Sequence, residues 1–316
     1  MILGLDTSCY TTSAALFDGA EMREARRLLS LPPGQKGLRQ SEMLFQHVGA
    51  LPEVLVELGG VPEGKLTGVA VSSRPREADG SYMPCFLAGL SLARSLSALL
   101  GIPLYEVSHQ QGHLAAALWS AGRMELAAAP FLAWHVSGGT TELLYVEPYL
   151  KARRVGGTTD LCAGQVVDRV GLTLGLGFPA GPELERLAAG SDEILPGRLT
   201  VSGAEFSLSG LQNQAQRFFE QGKRPEDIAA FTLQSLARVL REATDHAKTR
   251  YPGVPVVGCG GVLANLEIRK ALPEVIFAGL GPAGPGLDRQ SASPDNAMGV
   301  AVIGWKLDKE GSLSTP

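Results

Sequence analysis

Residues 1–16, MILGLDTSCYTTSAAL, read as an apolar strand, a turn rich in Ser and Thr, and a second strand. Residues 131–146, FLAWHVSGGTTELLYV, repeat that grammar: a hydrophobic strand runs into a small polar turn with a Thr-Thr pair, and a strand returns. One hairpin signal is common. Two of the same design, near the starts of the two halves, point to duplicated lobes.

The segments between and after them alternate. The pattern predicts a helix over 41–58, a strand over 66–72, a helix over 85–100, a short strand over 103–107 and a helix from 109 to about 121. The second half carries a Gly-rich segment at 156–164 and helices near 166–174, 183–189 and 225–248. The strand VPVVGCGGV (254–262), a helix over 264–272, a strand near 275–278 and a last helix after residue 295 complete it. Strands alternating with helices in both halves predict an α/β protein with substantially parallel sheets. The expected lobes are 1–124 and 125–316, the last helix (296–309) packing back on the first lobe and the tail after Trp305 fraying. Residues 74–84 and 279–293 are too irregular for regular elements, and loops of that length are often functional.

Composition narrows the class. The chain has 316 residues, 45% hydrophobic and 19% charged, ample for a buried core spread over two domains. A net charge of -4 gives no global basic field, so an RNA substrate would need a local patch or a partner to attract it. Cys9, Cys85, Cys162 and Cys259 are scattered without a CxxC pair, no signal peptide is expected ahead of the first strand, and no apolar run is long enough to span a membrane. A cytoplasmic protein is expected.

The strongest chemical signal is HQQGH. On a helix His109 and His113 share one face, a spacing at which two imidazoles grip one metal ion; the plain alternative is two solvated or core histidines. A carboxylate is the natural third ligand, and Asp295, ahead of an apolar helix, is the candidate, though Asp there is most often an N-cap. Two glycine pairs follow strands: Ser137, Gly138 and Gly139 in VSGGTTE, and Gly260 and Gly261 in GCGGVLAN, which ends at Asn265. Glycine lets a backbone approach a ligand closely and expose N–H groups to phosphate. Neither is GxGxxG or a Walker loop, so neither points to a dinucleotide fold or a P-loop enzyme; taken together the pairs favour a nucleotide cleft between the lobes. Asp168, and the turn GFPAGP containing Gly181, precede a helix with Glu183 in its first turn. GxSxG is absent, and Cys9 lacks a local partner that would mark a nucleophile.

In this order the pieces resemble the tRNA N(6)-adenosine threonylcarbamoyltransferase family, once catalogued as glycoprotease-type peptidases. GLDTSCYTTSAAL is similar to its G-x-E-T-S-C hairpin, VSHQQGH to its His-x-Glu-Gly-His motif, WHVSGGTTEL to V-S-G-G-H-T, AGQVVDR to A-G-E-A-F-D-K and FPAGP to Y-P-G-G-P. FSLSGL, GGVLAN and DNAMGVA match its late motifs. The resemblance implies a two-lobed α/β protein of the actin-like ATPase superfamily, its duplicated lobes built on mixed sheets flanked by helices. It implies an adenylate held by Ser137–Gly139, Asp168, Gly181, Gly260, Gly261 and Asn265. It also implies one divalent ion, iron or zinc, held by His109, His113 and Asp295, with transfer of threonylcarbamoyl from an adenylate donor to adenosine of tRNA. A homologous subunit, as homodimer or heterodimer partner, is a further possibility.

The departures define the alternatives. Tyr10 and Thr11 replace two family acids, Gln111 replaces the motif's Glu, and RPREADGSYMP (74–84) replaces a Gly-Pro-Gly turn with new charges at Arg74 and Arg76. The chain reads as a divergent paralogue. It acts as the transferase, as a non-catalytic adenine-nucleotide-binding partner of one, or as a carbamoyl transferase or ATPase on another substrate.

Overall fold

The computed structural model describes residues 1–8, 10–31, 38–278 and 297–310. Its first elements are β1 (Ile2–Asp6), β2 (Thr11–Phe17), β3 (Met22–Leu28), α1 (Gln40–Leu58), β4 (Gly68–Arg74), α2 (Phe86–Leu100), β5 (Leu104–Ser108) and α3 (His109–Ser120). There follow β6 (Phe131–Val136), β7 (Thr141–Glu147), β8 (Lys151–Thr158), α4 (Ala163–Thr173), α5 (Gly181–Ala188), β9 (Val201–Ser202) and β10 (Glu205–Phe206). The chain ends with α6 (Ser209–Glu220), α7 (Pro225–Arg250), β11 (Val256–Cys259), α8 (Leu266–Ala271), β12 (Val275–Phe277) and α9 (Ala297–Glu310). Two compact units result: the described residues of Met1–Ala128, Tyr149–Ala152 and Ala278–Pro316 form one, and Ala129–Pro148 with Arg153–Phe277 the other.

In the first unit the sheet order is β3-β2-β1-β4-β5. β1 pairs antiparallel with β2 and β2 with β3, whereas β1, β4 and β5 run parallel. Every residue of β1 is buried, because both faces of the strand are covered. Leu3, Leu5, Val69 and Val71 pack with Leu51, Val54 and Leu58 of α1 and with Ala88, Leu90 and Ala93 of α2. The alternate positions Gly4 and Ala70 meet α9 instead, whose Ala297, Ala301 and Gly304 lie against them.

The second unit repeats the plan. Its seven-stranded sheet runs β12-β11-β6-β7-β8-β10-β9, so β8-β7-β6-β11-β12 has the strand order of the first sheet, extended by a short β10-β9 pair. Trp134 on β6 is fully buried, and its Nε1 donates to Thr244 Oγ1 on α7 at 2.9 Å. α7 begins with Pro225, carries Glu226 and Asp227 in its first turn and Lys248 and Arg250 in its last, charges placed to suit the helix dipole.

Several expectations are corrected. The first sheet is mixed, as the resemblance implies, and less parallel than the strand–helix alternation alone predicts, since β3 completes a meander. β3 (MREARRL) is invisible to an apolar-alternation rule because only Ala25 is buried; it is a charged edge strand. β8, α6, β9 and β10 are likewise elements that the sequence pattern does not predict. The segment expected to be helical over 264–272 makes a 3-10 turn at Gly261–Ala264 before α8 starts, and α9 stays helical past Trp305 to Glu310.

A cluster of hydrogen bonds fixes the approach to α4. The Asp160 carboxylate accepts from Leu161 N (2.6 Å), Leu208 N (2.8 Å), Ser209 N (3.2 Å) and the hydroxyls of Thr158 and Ser207, tying the β8–α4 turn to the start of α6. Burial acts to raise this carboxyl, but the donors from Ser207, Ser209, Leu208 and Leu161 outweigh it and hold it well below the usual carboxylate range.

Two outcomes are expected. A folded-state pKa below the unfolded value of about 3.9 contributes stability that is present above that value and lost as pH falls below it. Asp160→Asn therefore flattens the decline in urea midpoint on acidification below about pH 4. Second, a Cβ on Gly299 would sit 1.8 Å from the Gly112 carbonyl oxygen, so Gly299→Ala costs about 3 kcal/mol in urea unfolding. Gly49→Ala, in α1 with open space around it, instead gains about 0.5–1 kcal/mol.

Candidate functional site

In the first unit the sheet's C-terminal edge and the start of α3 build one cluster. β1 and β5 both lie in the parallel part of the sheet, so Asp6 and Ser108 end their strands at the same edge. Ser108 is the N-cap of α3: its hydroxyl accepts from Gln111 N, and the Gln111 side chain reaches back to Ser108 N at 2.8 Å, a capping box that places His109 as the first helical residue. His109 Nε2 and His113 Nε2 are 2.7 Å apart. On its other side, His109 Nδ1 lies 2.8 Å from Asp6 Oδ2, while Asp6 Oδ1 accepts from Ser8 N at 2.7 Å. Burial works to raise the Asp6 carboxyl; the adjacent His109 imidazole and the Ser8 N–H outweigh it and pull the carboxyl down to about 2.

Two imidazole nitrogens this close repel unless a proton or a cation lies between their lone pairs. Converging neutral nitrogens are the donor set a divalent ion takes, so His109 and His113 fit a metal. Among the described residues no third His, Cys, Asp or Glu completes a metal-holding group. Asp295 falls within 279–296 and Cys9 is a single position, and both lie outside the described residues. Asp6 is a residue that the motif reading does not single out. The available signal is an acid closing a fully apolar first strand, and what hides it is that its partner is 103 residues away.

In the substituted segment at the end of β4, Arg74 meets a carboxylate. The Arg74 guanidinium pairs with Glu77 and with Ser73 Oγ, so its charge is already matched within the loop. Tyr10 is 40% exposed, and its hydroxyl accepts from Leu38 N at 3.3 Å, against the segment leading into α1.

The second unit holds a cavity of about 330 Å³, at the lower end of the roughly 300–1,000 Å³ typical of small-molecule pockets. Gly138, Asp168, Gly181, Gly261 and Asn265 all line it, although up to 127 positions separate them in sequence. Ser137, Gly139 and Gly260 belong to the same two turns without lining the cavity. Val167, Leu233 and Val262 give it apolar walls, and Glu185, unforeseen in the sequence, gives it a carboxylate that accepts from Leu266 N at 2.7 Å. Asn265 caps α8 through Ile268 N, and Asp168 Oδ1 accepts from Ala180 N at 2.9 Å, which fixes the turn before α5.

The glycines here have distinct reasons. Gly260 has φ +105° and a Cβ there would lie 2.3 Å from Val136 O; Gly164 lets the start of α4 touch the 137–139 turn, where its Cβ would fall 2.7 Å from Gly138 N. At Gly138, Gly139 and Gly261 an added methyl group would meet no atom within 4 Å, so their backbone faces open space.

The doubled strand order defines a protein of the actin-like ATPase fold. Solved structures of that fold match nearly the whole chain. The activator of the 2-hydroxyisocaproyl-CoA dehydratase from Clostridium difficile, with bound ADPNP, aligns at a TM-score of 0.52 and 15% identity over 99% of both chains. The ROK hexokinase from Thermus thermophilus aligns at 0.53 and 15% over 98% of this chain and 99% of that one. The sequence places it more narrowly. The chain belongs to the tRNA N6-adenosine threonylcarbamoyltransferase family, whose model matches residues 46–282. A relative of that name from Thermus thermophilus is 32% identical over 330 aligned positions, which cover all of this chain and 95% of the relative.

One departure from the family motif now has a physical account. Gln111 Nε2 donates to Tyr149 O at 3.0 Å, docking the left-handed Tyr149–Leu150 segment on α3, which an ionised carboxylate could not do. Gln111→Glu keeps the capping box and sets a carboxylate against that carbonyl. Thermal unfolding is expected to show a loss of about 1–2 kcal/mol, largest above the carboxylate's pKa.

Proposed function

We propose that this chain transfers a threonylcarbamoyl group from an adenylate donor to N6 of an adenosine in tRNA. The observation that carries the reading is the second unit's cavity, in which residues from two glycine turns, α4, α5 and the start of α8 converge. Its apolar walls, Val167, Leu233 and Val262, suit a flat heterocycle, Asp168 and Asn265 suit the polar edge of a nucleoside, and the open backbone at Gly138 and Gly261 suits phosphate oxygens. Membership of the transferase family supports the same substrates. Ser137, Gly139 and Gly260 serve by shaping the turns.

His109, His113 and Asp295 are proposed to hold one divalent ion, iron or zinc. When bound, that ion supplies Lewis-acid polarisation of an acyl oxygen. The chain's own residues do the rest: the glycine turns bind and orient the adenylate leaving group, and the apolar walls keep water from it. No helix among the described residues is long and apolar enough to cross a membrane, and the proposed setting is the cytoplasm, where tRNA is found.

A second reading is favoured by Tyr10, whose hydroxyl is engaged with Leu38 N at the position where an acid was expected. On that reading the chain binds the adenylate without turnover and partners a homologous, active subunit.

The test is direct. Purified chain, threonylcarbamoyl-adenylate and unmodified tRNA are incubated with Fe²⁺ or Zn²⁺, and the digested nucleosides are analysed by mass spectrometry. The wild type is expected to form N6-threonylcarbamoyladenosine. His113→Ala should lower the rate by about a hundredfold and Gly261→Leu should raise KM for the adenylate by about tenfold. Adenylate binding without product establishes the second reading; neither binding nor product overturns both.

A further inference from the structure

The His109–His113 contact is short enough that the identity of the nitrogen each ring presents decides what the pair can hold. Asp6 is the group placed to decide it for His109. Its side chain is nearly inaccessible, at 3% exposure, and its two oxygens have separate tasks: Oδ1 accepts from Ser8 N, closing the turn after β1, and Oδ2 faces His109 Nδ1 at 2.8 Å. A buried aspartate whose only need was to close that turn would use one oxygen. An ionised carboxylate only accepts, so the hydrogen in the second contact belongs to Nδ1. In its neutral form the ring then carries its lone pair on Nε2, the atom 2.7 Å from His113 Nε2.

Other groups fix where His109 starts, and the Asp6 carboxylate meets its ring at Nδ1. The Ser108–Gln111 capping box sets the helix start, the Gly112–Gly299 backbone contact sets the helix position, and the Phe86 ring, 6.2 Å away and tilted by 59°, packs against the imidazole without a polar atom to select a nitrogen. We propose that Asp6 is a positioning residue of the metal half of the site: it holds His109 with Nδ1 protonated and Nε2 bare, turned toward His113. The arrangement is the carboxylate–histidine pairing that orients an imidazole donor and raises its basicity. The inference rests on the reading above that these two imidazoles hold a metal ion.

The experiment separates the two claims. Long-range ¹H–¹⁵N correlation spectra of metal-free full-length protein, with His109 assigned by its loss in His109→Gln, report which ring nitrogen carries the proton. Titration of the same protein with Zn²⁺ by calorimetry reports affinity. The wild type is expected to show the Nδ1–H form. Asp6→Asn, whose amide oxygen still accepts but carries no charge, should keep that form and bind Zn²⁺ about tenfold more weakly. Asp6→Ala should mix the two forms and weaken binding by about a hundredfold. An Nε2–H ring in the wild type, or an Asp6→Asn protein with unchanged Zn²⁺ affinity, overturns the role of Asp6. A wild type that binds no Zn²⁺ or Fe²⁺ while His109 is held as Nδ1–H overturns the metal reading instead, and leaves the orienting contact established.

Discussion

The backbone contact between Gly112 and Gly299 is the constraint on which the first unit depends. α9, the last described element of the chain, crosses α3 with almost no side chain between them, and its other face lies on Gly4 and Ala70 of the central strands. Small residues on four elements therefore bring two helices and two strands within backbone distance. α3 carries both histidines, so the position of the imidazole pair is set from the far end of the sequence. Packing, rather than a local motif, holds the site in place.

The second unit uses glycine for a different purpose. Gly260 and Gly164 are needed because backbone from another element occupies the space a Cβ would take, whereas Gly138 and Gly261 border open volume. Close-packed glycines lock one turn against the end of β6 and the other against α4, and open glycines leave the cavity edge accessible. Polar side chains complete the job by capping: Asn265 and Glu185 satisfy the first N–H groups of α8, Asp168 holds the turn before α5, and Asp160 anchors the turn before α4. Each carboxylate or amide gives an oxygen to a backbone donor, so the rim is pre-formed rather than assembled by a ligand.

The two histidines and the two glycine pairs were legible because helix period and strand-turn punctuation are local properties. Asp6 and Glu185 were not, since a carboxylate at a strand end or on a helix acquires meaning only from what lies across from it. The edge strand β3 and the strand β8 escaped for a related reason: most of their residues are exposed or half-buried and follow no apolar alternation. Gln111 shows the limit from the other side. Its place in a His-x-x-Gly-His motif suggested a lost acid, and its amide turns out to donate to Tyr149 O, a bond no sequence pattern announces.

The sequence by itself determined the alternation of strands and helices, the repeat of one hairpin design in two halves, the family, and the helical spacing that sets two imidazoles on one face. Those follow from interactions between residues a few positions apart, or from similarity to relatives. Only the tertiary structure decided that Asp6 faces His109, that residues from five segments line one cavity, and that Arg74 is answered by Glu77 in its own loop. Such outcomes depend on which strands neighbour each other and how closely helices approach, and these are settled by long-range packing around glycine and alanine, which a linear reading sees only as small residues.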